Sequence, residues 1–243
     1  MAFGAPGIAP RWTSSAKEGL GTAYSGSCRL WFTLSHGIIN EIYYPTVDQP
    51  NTRDFEFLIS DGKAFCHEEK SDPDNRIDYP ERGCLFYRLI NSERNGRYQI
   101  IKQVLADPDR SVLLMHTRLE VRDESLRGKL HLYALLAPHI ARYGTGNSGW
   151  CCEIGANKLL RAECFGIVKA FVTHRNFVPS FAGGLSPNSC ADRTEVFRQA
   201  RCPSTSCQAI SPGTPSISSR TLRINANASA DSPGIPSSAP TTT

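Results

Sequence analysis

Tyr43, Tyr44, Asp48 and Arg53 fall close together in the stretch GIINEIYYPTVDQPNTRDFEFLISDG, Gly37 to Gly62. Planar phenol faces with a carboxylate and a guanidinium nearby are what a sugar-facing surface uses. Pro45 and Pro50 stiffen the connection, and Asn51, Thr52 and Asp54 add further donors and acceptors. A Tyr-Pro elbow also occurs as a plain β-corner, so a ligand-facing wall and a simple turn both fit these residues.

Other groupings carry less chemistry. Gly144-Thr145-Gly146-Asn147-Ser148-Gly149 matches G-x-G-x-x-G. That pattern binds dinucleotides only where the glycines join a strand to a helix. Here WCCEIG follows, a poor helix, and an inter-strand loop is the better reading. Cys66-His67-Glu68-Glu69 offers metal-ligand types in a row, but adjacent residues diverge and no second cluster completes a tetrahedral site. It reads as a solvated polar loop. Cys151 and Cys152 would point to opposite faces of a strand. His36, His116 and His139 accompany no G-x-S-x-G serine, so surface or hydrogen-bonded histidines are expected. No cofactor and no metal ligand set is expected.

The elements around these residues read as β. RLWFTL (Arg29 to Leu34) and GIINEIYY (Gly37 to Tyr44) are short and rich in aromatic and β-branched residues. FEFLI (Phe55 to Ile59) ends at Ser60-Asp61-Gly62, a turn sequence. CLFYRLI (Cys84 to Ile90) and RYQIIKQVL (from Arg97) flank Asn95-Gly96, a hairpin signal. Leu113, Met115, Thr117, Leu119 and Val121 alternate with His116, Arg118, Glu120 and Arg122, the clearest period-two stretch. Leu130, Leu132, Ala134 and Leu136 repeat the device. Strands at this spacing, joined by turns, predict an all-β fold, an antiparallel β-sandwich.

Composition sets the outer bounds. The chain has 243 residues, with 27 Lys+Arg against 23 Asp+Glu. No run of like charge gathers the excess, so no nucleic-acid partner is expected. No apolar run approaches the ~20 residues of a membrane-spanning helix. The start, MAFGAPGIAPRW, lacks a basic region followed by an apolar core, and nine cysteines show no C-x-x-C spacing. A cytoplasmic protein with reduced thiols is the expectation. From Cys164 the strand pattern fails, lysine ends at Lys169, and the last aromatic is Phe197. Residues 164–243 are therefore expected to be a disordered tail, either a Ser/Thr/Pro linker or the product of a shifted reading frame.

AFGAPGIAPRWTSSAKEGLGTA, RLWFTLSHGIINEIYYPTVDQPNTRDFEFLISDG, RSVLLMHTRLEV and YGTGNSGW together resemble the N-terminal domain of bacterial glucoamylases and glucodextranases, glycoside hydrolase family 15. The resemblance runs from about Ala2 to Glu163. It implies a large antiparallel sandwich, residues 2–163, ahead of an (α/α)6 barrel that holds both catalytic glutamates. An inverting pair stands ~6.5–9.5 Å apart across the scissile bond. No residue of this chain matches that barrel, so no catalytic residue is carried over. The resemblance thus implies a truncated, non-catalytic domain whose partners are the missing barrel and, weakly, an α-glucan or maltooligosaccharide. Tyr43, Tyr44, Asp48 and Arg53 would face that barrel or its substrate. A free-standing carbohydrate-binding or partner-binding module is the rival reading.

Overall fold

The structure, a computed structural model, describes residues 15–63, 65–142, 147–154, 157–172, 178–183 and 219–224. In chain order the strands are β1 (Gly19–Thr22), β2 (Trp31–Ser35), β3 (Ile38–Tyr43), β4 (Pro50–Ser60) and β5 (Cys66–Glu68). Next come β6 (Asp74–Asp78), β7 (Tyr87–Ser92), β8 (Tyr98–Ala106), β9 (Leu113–Val121) and β10 (His131–Pro138). The last are β11 (Ser148–Ile154), β12 (Asn157–Cys164), β13 (Ile167–Val172), β14 (Val178–Gly183) and β15 (Ser219–Ile224). The large sheet runs β1-β2-β3-β4-β10-β15-β14, with β5 added on β4; β6-β7-β8-β9 form a meander, and β11-β12-β13 a small sheet. Every described pairing is antiparallel.

The large sheet and the meander enclose the core of an antiparallel β-sandwich. Phe32, Leu34, Phe55, Phe57, Ile59, Leu132, Ala134 and Leu136 from the first join Tyr87, Leu89, Tyr98, Ile100 and Val104 from the second. Each such large side chain contributes about 1.5–3 kcal/mol by leaving water. Phe32 and Tyr87 meet edge to face, centroids 5.9 Å apart. β10 differs from a simple half-buried strand: Tyr133, Leu135 and Ala137 are buried as well, because β10 is central and covered on both faces.

Hairpin chemistry sets the register. His36 and Gly37 both have positive φ, 52° and 68°, between Ser35 and its partner Ile38. That is the conformation a two-residue turn needs to match strand twist. Gly37 has a second reason to lack a side chain, since any β-carbon would collide with Asn91 Oδ1.

That contact belongs to a buried polar cluster inside the sandwich. Glu69 is 0% exposed and Lys102 1%. Their ion pair measures 2.6 Å. Lys102 Nζ also donates to Gly37 O at 2.7 Å. Asn91 Nδ2 donates to Glu69 Oε1 at 2.5 Å and to Gly37 O at 3.0 Å. The Phe57 amide donates to the second carboxylate oxygen at 2.9 Å. Burial pulls the Lys102 ammonium below the usual lysine range, while Glu69 opposes that pull. The Cys66–Glu69 stretch is therefore not a solvated loop: β5 pairs with β4, which carries the next residue, Glu69, inside.

One edge of the large sheet is sealed. The Leu20 amide donates to Tyr87 Oη at 3.1 Å, and that hydroxyl donates back to Leu20 O at 2.5 Å. A β-carbon on Gly19 would lie 2.9 Å from Tyr87 Cε1.

The expected boundary at 163 with a disordered 164–243 is corrected at its first residues. Cys164 pairs with Ile167 across Phe165 and Gly166, whose φ values of 48° and 75° make the same kind of two-residue hairpin. In β13, Ile167, Lys169 and Phe171 are half-buried and alternate with exposed Val168, Ala170 and Val172. Phe171 packs on Phe55, ring centroids 5.1 Å apart. The sequence signal is weak here because Phe-Gly is a poor turn dipeptide and the apolar face of the strand is interrupted by lysine. β14 and β15 also lie in this segment; its remainder lies outside the described residues, as do residues 144–146 of the glycine loop and the side chains of Cys151 and Cys152.

Candidate functional site

β3 ends at Tyr43, and the chain turns back into β4 at Pro50, with Tyr43 paired to Pro50. The turn contains a cis bond between Tyr44 and Pro45. The Tyr44 amide donates to Gln49 O, and the Gln49 amide to Thr46 O, each at 3.1 Å. Asn51, 4% exposed, holds the turn from beneath. Its Nδ2 donates to Tyr44 O at 2.6 Å and to Gln49 O at 2.9 Å. Its Oδ1 accepts the Ala141 amide at 2.8 Å, and its carbonyl accepts the His139 amide at 3.1 Å. The elbow and the turn after β10 are thus one unit.

That unit is completed by residues the sequence did not single out. Arg142 pairs with Asp48 Oδ2. Asn147 Oδ1 accepts the Ile140 amide at 3.1 Å. Ala141 and Arg142 have φ of 55° and 70°, unusual for non-glycine residues. Their one sequence trace is an arginine and an asparagine flanking a glycine-bearing loop. His139 is buried, with Nδ1 2.9 Å from Pro138 O; a carbonyl only accepts, so Nδ1 carries the proton.

Tyr43, Tyr44 and Asp48 surround this elbow, each with a protein partner. The Tyr43 hydroxyl donates to Glu41 Oε2 at 2.5 Å, and Glu41 pairs with Lys17 at 2.5 Å. Burial and the Glu41 carboxylate push the Tyr43 hydroxyl well above its ordinary pKa. Arg29 lies over the Tyr44 ring, 5.6 Å from its centroid, and donates to the Tyr44 hydroxyl at 3.3 Å. The Thr46 hydroxyl donates to Asp48 Oδ1 at 2.5 Å and, with Arg142, holds that exposed carboxyl below its usual range.

Arg53 is drawn elsewhere. Its Nε donates to Asp54 Oδ2 at 2.7 Å, and Lys70 reaches Asp54 Oδ1 at 3.3 Å. Among the described residues no bond joins Arg53 to Tyr43, Tyr44 or Asp48. It belongs to a second polar group with Asp54 and Glu56, both buried. Glu56 Oε2 has no hydrogen-bond partner among the described residues. Burial, then Glu68 and Asp54, raise the Glu56 carboxyl well above its ordinary value, against the pull of Lys70. On the other side of the elbow Lys169 donates to Thr52 Oγ1, and enclosure of its ammonium pushes it down to about 7.

A polar wall of this kind can hold a surface in place through Asp48, Arg142, Arg29 and Tyr44. Among the described residues no cluster of His, Cys, Asp and Glu has the make-up of a metal site.

Comparison with known proteins covers the segment from Ala2 to Glu163 and extends past it. The family model described as "Glucodextranase, domain N" matches residues 2–192. A glucoamylase of Clostridium sp. (strain G0005) is 34% identical over 165 residues, which is 67% of this chain and 23% of that relative. A crystal structure of bacterial glucoamylase complexed with acarbose superposes with a TM-score of 0.80 at 26% identity, covering 92% of this chain and 32% of that one. The chain thus spans about a quarter of the curated relative and about a third of the solved one.

Proposed function

Because this chain belongs to the glucodextranase domain N family, we propose that it is the non-catalytic N-terminal sandwich of a glucoamylase-like α-glucan hydrolase. The observation that carries the reading is the match of residues 2–192 to that domain, within a fold that covers 32% of a bacterial glucoamylase. The partner is the catalytic (α/α)6 domain that the family resemblance implies, and the substrate of the intact enzyme is an α-glucan or maltooligosaccharide. The elbow is the wall turned toward that domain. Tyr44 with Arg29, and Asp48 with Arg142, present it; Arg53, held by Asp54, stands apart from it. Such a wall changes turnover by positioning rather than by chemistry.

Two measurements test this. The chain alone should release no glucose from maltooligosaccharides, and release would overturn the non-catalytic assignment. In an intact family enzyme, Tyr44→Ala should lower kcat/KM for maltooligosaccharides while the thermal midpoint holds. A fall in stability with full activity would make the elbow a plain corner. Retention of this chain on insoluble starch would favour the free-standing binding module instead.

A further inference from the structure

The meander ends at β9, and that edge is unlike its neighbours. The Arg122 amide donates to Arg97 O at 2.8 Å. Antiparallel alternation then commits Leu114, His116, Arg118, Glu120 and Arg122 to β8. The N–H and C=O groups of Leu113, Met115, Thr117, Leu119 and Val121 point off the sheet, and no described strand receives them. Those five residues also face the core, yet they stay half-buried, whereas Tyr98, Ile100 and Val104 on β8 are 0% exposed. Thr117 Oγ1 is buried without a partner. The strand contains no proline and no inward charge, two of the devices that blunt an edge; its charges, Arg118 and Glu120, are of opposite sign and lie on the outer face. By contrast Tyr87 seals β1, and β6 is short and charged, with Asp74, Arg76 and Asp78.

We propose that β9 is a strand-pairing edge whose occupant is β9 of a second copy of this chain, antiparallel about a two-fold axis at Leu119. In that register Leu119 meets Leu119, and Thr117 meets Val121, all through the outward backbone groups. On the outer face Arg118 stands opposite Glu120 on both sides of the axis, in the pairs where side chains come closest. Arg118 is largely exposed and touches Glu120 of its own strand, and Gln99 Nε2 donates to the other Glu120 oxygen at 2.8 Å, so the cross-axis pair shares a carboxylate that already has partners within its own chain. Charge selects the register. An axis at Arg118 would set two arginines face to face, and an axis at Thr117 would set Arg118 against His116. The contact is isologous, so it closes at two copies.

The test is sedimentation of the full chain over a range of concentrations. The mass should move from 26.7 kDa toward twice that value as concentration rises. Thr117→Pro removes one outward donor and leaves the β8 ladder intact; it should weaken association at least tenfold with the β signal in circular dichroism unchanged. Glu120→Arg should weaken it too, by opposing arginines, and adding Arg118→Glu should restore it. The charge pair decides the matter even if the proline variant misfolds. A monomer at every concentration overturns the proposal. So does a dimer whose affinity stays within twofold under the single charge reversal.

Discussion

Two polar groups in this molecule use the same chemistry in opposite surroundings. Lys102 and Glu69 sit at 1% and 0% exposure between the sheets, bonded further to Gly37 O and Asn91 Nδ2, while Asn91 Oδ1 has no partner among the described residues. Asp48 and Arg142 make an ion pair at the elbow with both side chains more than half exposed. In the core, low polarity strengthens each bond that is made and makes the loss of a charged partner expensive. At the surface, water replaces either partner at little cost. The difference separates what holds the sandwich together from what it can offer to another surface.

The largest effect that could break this contrast comes from Lys102→Met. It strands the Glu69 carboxylate among Phe57, Asn91 and Gly37, and should destabilise the chain by about 3–5 kcal/mol in denaturant unfolding. A loss below about 1 kcal/mol would mean that water reaches Glu69 and that the cluster is not a core feature.

Glu56 sharpens the contrast, because it is a buried acid with Glu68, Asp54 and Glu69 around it, against which Lys70 pulls and toward which Lys102 is also drawn. Its folded pKa is raised, so the folded state holds the proton more tightly than the unfolded chain. The stability this gives is complete below the ordinary glutamate pKa of about 4.3 and is lost as pH rises toward the folded value. Glu56→Gln keeps the shape and cannot ionise. Relative to it, the wild type should lose up to about 1.4 kcal/mol per pH unit within that window. A constant difference between the two from about pH 5 to about pH 8 would show that the Glu56 carboxyl is not held protonated.

The smallest effect is expected at the elbow. Asp48→Asn should leave the thermal midpoint of the chain unchanged. A clear drop would show that the exposed pair carries structural weight.

Each element is legible in the sequence to the extent that local residues determine it. The alternation of Leu113 to Val121 is readable because one side of β9 faces the core and the other water. Leu130 to Leu136 is readable in type but not in burial, since nothing local says that a second layer covers Tyr133 and Leu135. β1 gives no such signal because its inward positions, Gly19 and Gly21, carry no side chain; the rings of Tyr87 and Phe32 fill that space from other strands. The site is half legible. Tyr43, Tyr44 and Asp48 share the elbow because the turn is short and local. The pairings of Asp48 with Arg142 and of Asn51 with Ala141 join residues far apart in the chain, which no local pattern announces. Proximity in sequence puts Arg53 at the elbow, whereas the adjacent carboxylate of Asp54 captures it.

Tyr87 carries a consequence for motion. Its hydroxyl lies on the axis about which the ring turns, so the bonds to Leu20 and Tyr79 can survive a half-turn. The ring edge cannot pass so freely, because it leans on the backbone at Gly19 and on Phe32 from the facing sheet. Turning therefore waits for the two sheets to part briefly, a collective movement slower than side-chain rotation at a surface. The two sides of this one ring, seen as separate or merged proton resonances, become a clock for breathing of the whole sandwich.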